Sequence, residues 1–143
     1  MVIHELPLAK APWQQLQQLL DQSFPLPPRD VFERVVQASH RPQRIWIAMD
    51  PDPKTIVGLV MLSPYSKGGH LDNLAVAPAA RSKGIGRALV QRLLNECAAN
   101  GPAMISLTTR IPLFFSSLGF QPAGALADGS LAMLQLLPSN PQL

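Results

Sequence analysis

Hydrophobic and polar positions follow two different periods along the chain, and each change of period marks the boundary of a predicted element. Short apolar runs with β-branched residues predict strands over residues 2–6, 44–49, 56–62, 71–76, 104–107 and 131–137. Apolar residues that recur every three or four positions predict helices that begin at Pro12 and Gly84. Two shorter helices are predicted over 30–36 and 111–118.

The predicted helix after Gly84 has the clearest two-sided pattern in the chain. Its apolar side is formed by Ile85, Leu89, Leu93 and Cys97, with Val90 and Leu94 beside them, and its polar side by Arg87, Gln91 and Asn95. Such a helix suits a crossover between parallel strands, so 71–76 and 104–107 are predicted to run parallel. The earlier strands are predicted to form an antiparallel meander, in which Gly58 marks a bulge or a close backbone approach.

The turn that precedes this helix is basic and contains two glycines. Arg81, Lys83 and Arg87 surround Gly84 and Gly86 at the point where the strand pattern becomes a helical one. The first turn of a helix has unpaired N–H groups and partial positive charge, and glycines let an anion approach the backbone. The spacing alone is weak evidence, since it is compatible with phosphate binding and also with an ordinary strand-to-helix connection.

The residue identities in two segments are more specific evidence than the spacing of their glycines and charges. The run Arg81-Ser82-Lys83-Gly84-Ile85-Gly86 matches the signature Arg/Gln-x-x-Gly-x-Gly/Ala, and Phe114-Phe115-Ser116-Ser117-Leu118-Gly119-Phe120 resembles a late F-Y-x-x-L-G-F segment. Both belong to the GNAT superfamily of acyl-CoA-dependent N-acyltransferases. The resemblance implies an α/β (α+β) single-domain fold over residues 1–137. Its mixed, mostly antiparallel sheet would have one splayed parallel pair and about four flanking helices, with a loose tail over 138–143.

Composition is compatible with that fold and excludes several classes of binding partner. A chain of 143 residues with 47% hydrophobic residues suits one domain. Its 12 basic and 9 acidic residues are dispersed, without the basic run and interleaved aromatics of a nucleic-acid binder. One cysteine excludes an internal disulfide, and His4, His40 and His70 lack metal-ligand spacing. We therefore expect a soluble, cytoplasmic protein without a metal, a membrane segment or a nucleic-acid partner.

The resemblance implies that the protein binds acetyl-CoA and transfers its acetyl group to an amine by direct attack. The pantetheine arm would insert between the splayed strands, with backbone near Leu74, Ala75 and Val76 binding the arm and the thioester oxygen. The remaining residues implied to bind the cofactor are Arg81, Ser82, Lys83, Gly84, Ile85, Gly86, Arg87, Phe114 and Phe115.

The resemblance also implies a general base on the strand that contains Leu74 and a general acid on the late helix. Asp72 stands where many relatives have an acidic residue, and in an unbroken strand it shares a face with His70 and Leu74. A histidine is better matched to a base at neutral pH, so both Asp72 and His70 are candidates. The usual acid is a tyrosine, and Phe115 stands at its position. Ser116, Ser117 or water would then protonate the thiolate, unless no acid is needed.

The acceptor is expected to be a small primary amine. The run Leu107-Thr108-Thr109-Arg110 resembles the acetyltransferase domain of N-acetylglutamate synthases, so Arg110, with Thr108 beside it, is a candidate for binding an amino-acid carboxylate. Two other hypotheses stay open: a non-catalytic acetyl-CoA sensor, with which Phe115 is compatible, and a protein or peptide N-acetyltransferase. The apolar last strand is compatible with a homodimer and equally with an internal position.

Overall fold

Seven strands and three α-helices form the part of the chain that the structure, a computed structural model, describes: residues 1–7, 10–22, 44–51, 54–100 and 102–138. In chain order they are β1 (Val2–Leu6), α1 (Trp13–Asp21), β2 (Arg44–Pro51), β3 (Lys54–Tyr65), β4 (Gly68–Val76), α2 (Ile85–Asn100), β5 (Met104–Thr109), α3 (Pro112–Ser116), β6 (Gln121–Ala125) and β7 (Leu131–Leu136). The helix predicted over 30–36 lies outside the described residues, as does the tail predicted over 138–143 apart from Pro138.

All seven strands belong to one mixed sheet with the order β1-β2-β3-β4-β5-β7-β6. The first four strands form the predicted antiparallel meander. β4 and β5 are parallel and are connected through α2, as the crossover pattern predicts. The last strand, β7, pairs with β5 on one side and β6 on the other, so its backbone edges are used within this sheet.

Two hydrophobic clusters cover the two faces of the sheet. On one face α2 packs through the predicted apolar positions, among them Leu89 and Leu93, against residues that include Trp46 and Ile105; we call this group the α2 cluster. On the other face α1 packs Leu16, Leu19 and Leu20 against β2 and β3, and we call this group the α1 cluster. One glutamine of α1, Gln17, is buried and donates a 3.0 Å hydrogen bond to Asp21 on the next turn.

Gly58 combines both features that its position in the strand pattern predicts. The register between β2 and β3 shifts beside it, because Ala48 pairs with Gly58 whereas Met49 pairs with Ile56. A Cβ at Gly58 would also lie 2.9 Å from Leu89 Cδ1. The missing side chain therefore lets α2 approach the sheet, and this approach places the start of α2 beside the end of β4.

Candidate active site

A cleft opens between the two parallel strands at the centre of the sheet. β4 and β5 pair only where Gly68–His70 lies beside Met104–Ser106. Beyond those residues the strands separate around a cavity of about 570 Å³. Residues 70–74 of β4, residues 107–111 at the end of β5, and Phe115 line this cavity. The splayed parallel pair that the resemblance implies is present, and backbone of both strands faces the space between them.

A bulge in β4 changes which side chains share a face of this strand. Met61 pairs with Asp72, whereas Leu59 pairs with Ala75, so β4 contains one extra residue between these pairs. Asn73 occupies the bulge in the left-handed conformation, with φ of +49°. The prediction that Leu74 shares a face with Asp72 is therefore wrong, because Leu74 packs in the α2 cluster.

The two candidate bases lie together and belong to a chain of polar side chains. His70 Nε2 is 3.8 Å from Asp72 Oδ1, and Ser63 Oγ donates a short hydrogen bond to the other carboxylate oxygen of Asp72. On the far side, His70 Nδ1 lies 3.1 Å from Ser106 Oγ, which is 3.0 Å from the hydroxyl of Tyr65. The imidazole therefore connects the cleft with the closed end of the β4–β5 pair.

The basic turn before α2 has the backbone that its glycines predict. Gly84 has φ of +78°, and nothing lies within 4 Å of the position that its Cβ would occupy. Its carbonyl accepts the first hydrogen bond of α2, from the N–H of Ala88 at 3.0 Å. The N–H groups of the following three residues consequently have no partner within the helix. These N–H groups lie at the positive end of the helix dipole, an arrangement that suits an anion.

The basic side chains of this turn have different roles. Arg81 donates from Nε to the carbonyl of Val76 at 3.1 Å, which ties the turn to the end of β4 and uses one of its five N–H donors. Arg87 donates to Ser117 Oγ at 2.5 Å and thereby connects α2 with the end of α3. Ser82 and Lys83 are exposed, and Ser82 has φ of +65°.

The short helix α3 closes one end of the cleft with aromatic side chains. Phe115 is 5% exposed, lines the cavity, and packs edge-on against Phe114 at 4.9 Å and Phe120 at 5.7 Å between ring centroids. Phe114 also lies near Gly86 at the start of α2, where a Cβ would be 3.7 Å from its ring. Ser116 is exposed and does not line the cavity, whereas Ser117 is held by Arg87 and by the carbonyl of Phe114.

The predicted acceptor residues lie at the mouth of the cleft. Thr108 and Arg110 both line it, and Arg110 Nη2 is 3.5 Å from Asp128 Oδ2 in the hairpin between β6 and β7. Both side chains are more than 60% exposed, so water screens this ion pair strongly. Hydrogen bonds from Ser130, together with the nearby Arg110, lower the pKa of Asp128 from its ordinary value.

Sequence reasoning missed Ser63, Tyr65, Ser106 and Asp128 as neighbours of these candidates. Ser106 had the clearest available signal, since a polar residue within the apolar run of β5 faces the partner strand at the level of His70. Across the part of the chain that the structure describes, no three His, Cys, Asp or Glu side chains are grouped as metal ligands. No helix in the described ranges is both long and apolar enough to cross a bilayer.

A comparison with protein-family models identifies the family to which this arrangement belongs. The model for the acetyltransferase (GNAT) family matches residues 13–120, which include the cleft, the basic turn and the aromatic helix. The chain belongs to this family. No curated protein matches the chain by sequence.

Solved structures with the GNAT fold cover nearly the whole chain. An aminoglycoside 6'-N-acetyltransferase complexed with coenzyme A has a TM-score of 0.83 at 21% identity, over 99% of this chain and 100% of that one. The aminoglycoside 6'-N-acetyltransferase from Enterococcus faecium has a TM-score of 0.81 at 22% identity, with the same coverage. The ribosomal-protein-S18-alanine N-acetyltransferase from Escherichia coli has a TM-score of 0.76 at 19% identity, over 99% and 97%. At these identities the likeness shows the fold.

Proposed function

We propose that the protein transfers the acetyl group of acetyl-CoA to the primary amine of a small molecule. The observation that carries this proposal is the cleft between β4 and β5, which begins where the parallel pairing ends at His70 and Ser106. An extended pantetheine arm fits such a slot as an additional strand, because both walls present backbone. The proposed domain spans residues 1–137, with 138–143 as its tail.

The residues around the turn suit the charged end of coenzyme A. Gly84 leaves open space at its Cα, and the unpaired N–H groups of Ile85, Gly86 and Arg87 follow it. The side chains of Arg81 and Lys83 add attraction for the pyrophosphate. We assign binding of the pantetheine arm to the backbone from Leu74 to Val76. Ser82 belongs to the phosphate-binding turn, and the rings of Phe114 and Phe115 would lie beside the coenzyme. The coenzyme would supply an acetyl group activated as a thioester.

The two bases proposed for the acceptor amine are His70 and Asp72. An ammonium group must lose a proton before its nitrogen can attack, and His70 or Asp72, which both line the cleft, would take that proton. The new C–N bond then forms, the C–S bond breaks, and the products are the amide and the thiol of CoA. Backbone N–H groups beside the bulge at Asn73 would stabilise the negative charge on the carbonyl oxygen.

The acid step does not require a tyrosine at position 115. A thiol with a reference pKa of about 8.5 is a fair leaving group, so its thiolate can depart and take a proton from water. The buried ring of Phe115 has no proton to give, and exposed Ser116 is the weaker alternative because it lies outside the lining of the cleft. The low pKa of the leaving thiol favours turnover without a dedicated acid over the hypothesis that the protein is a non-catalytic sensor.

The mouth of the cleft supports a small acceptor with an amine and a carboxylate. Asp72 would attract the ammonium group, and Arg110 would bind the carboxylate, with Thr108 adjacent. The exposed pair of Arg110 with Asp128 is weak enough to exchange partners. An α-amine, with a reference pKa near 8, has a larger neutral fraction at pH 7 than a lysine side chain.

Calorimetric titration with acetyl-CoA tests the cofactor site directly. Gly84→Glu places a carboxylate beside the proposed phosphates, and we expect affinity to fall about tenfold or more through charge repulsion. Gly124→Glu is the matched control, because Gly124 also has a positive φ and open space around its Cβ position but lies in β6. Equal losses in both variants, or no binding by the unaltered protein, would overturn the cofactor assignment.

Release of free CoA then distinguishes an enzyme from a sensor. The unaltered protein is incubated with acetyl-CoA and a panel of amino acids, amino sugars and peptides, and the free thiol is measured. We expect release above background with a small amine. Binding of acetyl-CoA without release for any acceptor would favour the sensor, and release only with peptides would favour a protein N-acetyltransferase.

A further inference from the structure

The ring of Tyr65, the only tyrosine in the chain, lies over Gly68 at the start of β4. A Cβ at Gly68 would come within 2.8 Å of Tyr65 Cε2 and 3.1 Å of its hydroxyl oxygen. Only glycine leaves this space, so the phenol crosses β4 and reaches Ser106 on β5, with 3.0 Å between their oxygens. Three strands therefore meet at one polar contact.

Ser106 transmits this contact to His70. Its hydroxyl has one donor and two acceptor sites, so it can bind the phenol of Tyr65 and Nδ1 of His70 at the same time. With Nδ1 engaged at 3.1 Å, the nitrogen that remains on the side of Asp72 is Nε2. A rotation of the ring would break the bond to Ser106.

The position of this contact in the sheet makes it well suited to control His70. Ser106 and His70 are the last paired residues before β4 and β5 separate. The hydroxyl of Ser106 is therefore held by the rigid, paired end of the two strands, while the other edge of the imidazole faces the open cleft. Backbone pairing fixes the distance between the two residues more firmly than a loop would.

We propose that Ser106 and Tyr65 are positioning residues that orient the imidazole of His70, with Nε2 directed to the cleft to take the proton from the acceptor amine. This inference rests on the proposed acetyltransferase function. It assigns the base to His70, supported by Asp72, and gives a role to two hydroxyl side chains that the general reaction does not require.

Histidine-selective ¹⁵N NMR tests the orientation without any acceptor. His4 and His40 serve as internal references, and His70→Gln identifies the His70 signals. We expect Ser106→Ala to move the Nδ1 and Nε2 shifts of His70 toward those of a free imidazole, and Tyr65→Phe to move them less. Ser106→Thr keeps a hydroxyl and should restore them, while Thr55→Val, which removes an exposed hydroxyl from β3, should leave them unchanged. Identical shifts in Ser106→Ala and the unaltered protein would overturn the proposal.

Measurement of turnover is the second test of the proposal. In the presence of an active acceptor, Ser106→Ala should lower kcat about tenfold with acetyl-CoA affinity unchanged within twofold, and Tyr65→Phe should lower kcat less. In a His70→Gln background the same substitution should cause no further loss, because the group that Ser106 orients is gone. Equal losses in both backgrounds would show that Ser106 acts independently of His70. Failure of the unaltered protein to bind or turn over acetyl-CoA would instead overturn the proposed function. The NMR measurement distinguishes that result from a failure of Ser106 to orient His70, because it needs no turnover.

Discussion

Asp72 and Leu74 are two residues apart on β4, yet their side chains lie on opposite faces of the sheet. Asp72 is paired with Met61, whose side chain belongs to the α1 cluster, whereas Leu74 packs in the α2 cluster. The residue between them, Asn73, adopts φ of +49° and absorbs the change of face. The bulge therefore presents a carboxylate to the cleft and an apolar side chain to the helix that begins at the basic turn.

The left-handed conformation at Asn73 makes the bulge sensitive to side-chain shape. We expect Asn73→Val to lower the free energy of unfolding by about 1–2 kcal/mol, because a β-branched residue is strained at positive φ. Asn73→Gly should cost much less, since glycine adopts this conformation freely. Urea denaturation of the two variants measures the difference. Equal stability would contradict the bulge geometry.

Gly58 should not tolerate a side chain, because α2 lies too close. In Gly58→Ala the new Cβ would lie 2.9 Å from Leu89 Cδ1 and 3.1 Å from Ile85 Cγ2, and both neighbours are buried. We expect a loss of about 1–3 kcal/mol from overpacking. Combining the substitution with Leu89→Ala should cost less than the sum of the two single losses. Strict additivity in urea denaturation would show that the two residues do not compete for space.

The thiol of Cys97 should be inert in the folded protein. Burial between α2 and the sheet raises its pKa to about 11, and the nearby Arg44 offsets only part of this rise. Because the folded pKa lies above the unfolded value of about 8.5, the neutral thiol favours folding below pH 8.5. That contribution is lost as the pH rises toward 11.

Comparison with Cys97→Ala isolates this contribution, because the other titrating groups are common to both proteins. The difference in the free energy of unfolding between the two proteins should shrink between about pH 8.5 and 11. A thiol reagent at pH 8 should react with the unaltered protein only at the rate of unfolding. Rapid labelling under native conditions would contradict the burial of Cys97.

The ion pair at the mouth of the cleft should influence the choice of acceptor. Asp128→Asn leaves Arg110 without its carboxylate partner, so we expect the KM for amino-acid acceptors to fall about two- to fivefold. Arg110→Ala should raise that KM. The amides of the same amino acids are the control, because they lack the carboxylate and should respond to neither change. A parallel response of acids and amides would contradict binding of a carboxylate by Arg110.

The local features of the fold were predictable because they depend on residues near one another in the chain. The apolar positions of α2, such as Leu89 and Cys97, recur with the helical period and are all buried. Gly84 precedes a helix and has the positive φ that its turn requires. The residues of two short segments, 81–86 and 114–120, indicated the family to which the chain belongs.

The contacts within the candidate site depend instead on how distant strands are aligned. His70 and Ser106 are 36 residues apart, and Tyr65 and Ser106 are 41 apart, so only the register of β3, β4 and β5 brings them together. The bulge at Asn73 followed no local pattern, and it moved Leu74 away from the face of Asp72. The sequence by itself determined the helical and strand periods, the basic turn before α2 and the family. Tertiary structure decided which side chains meet, because a shift of one residue in a strand reverses every face that follows it.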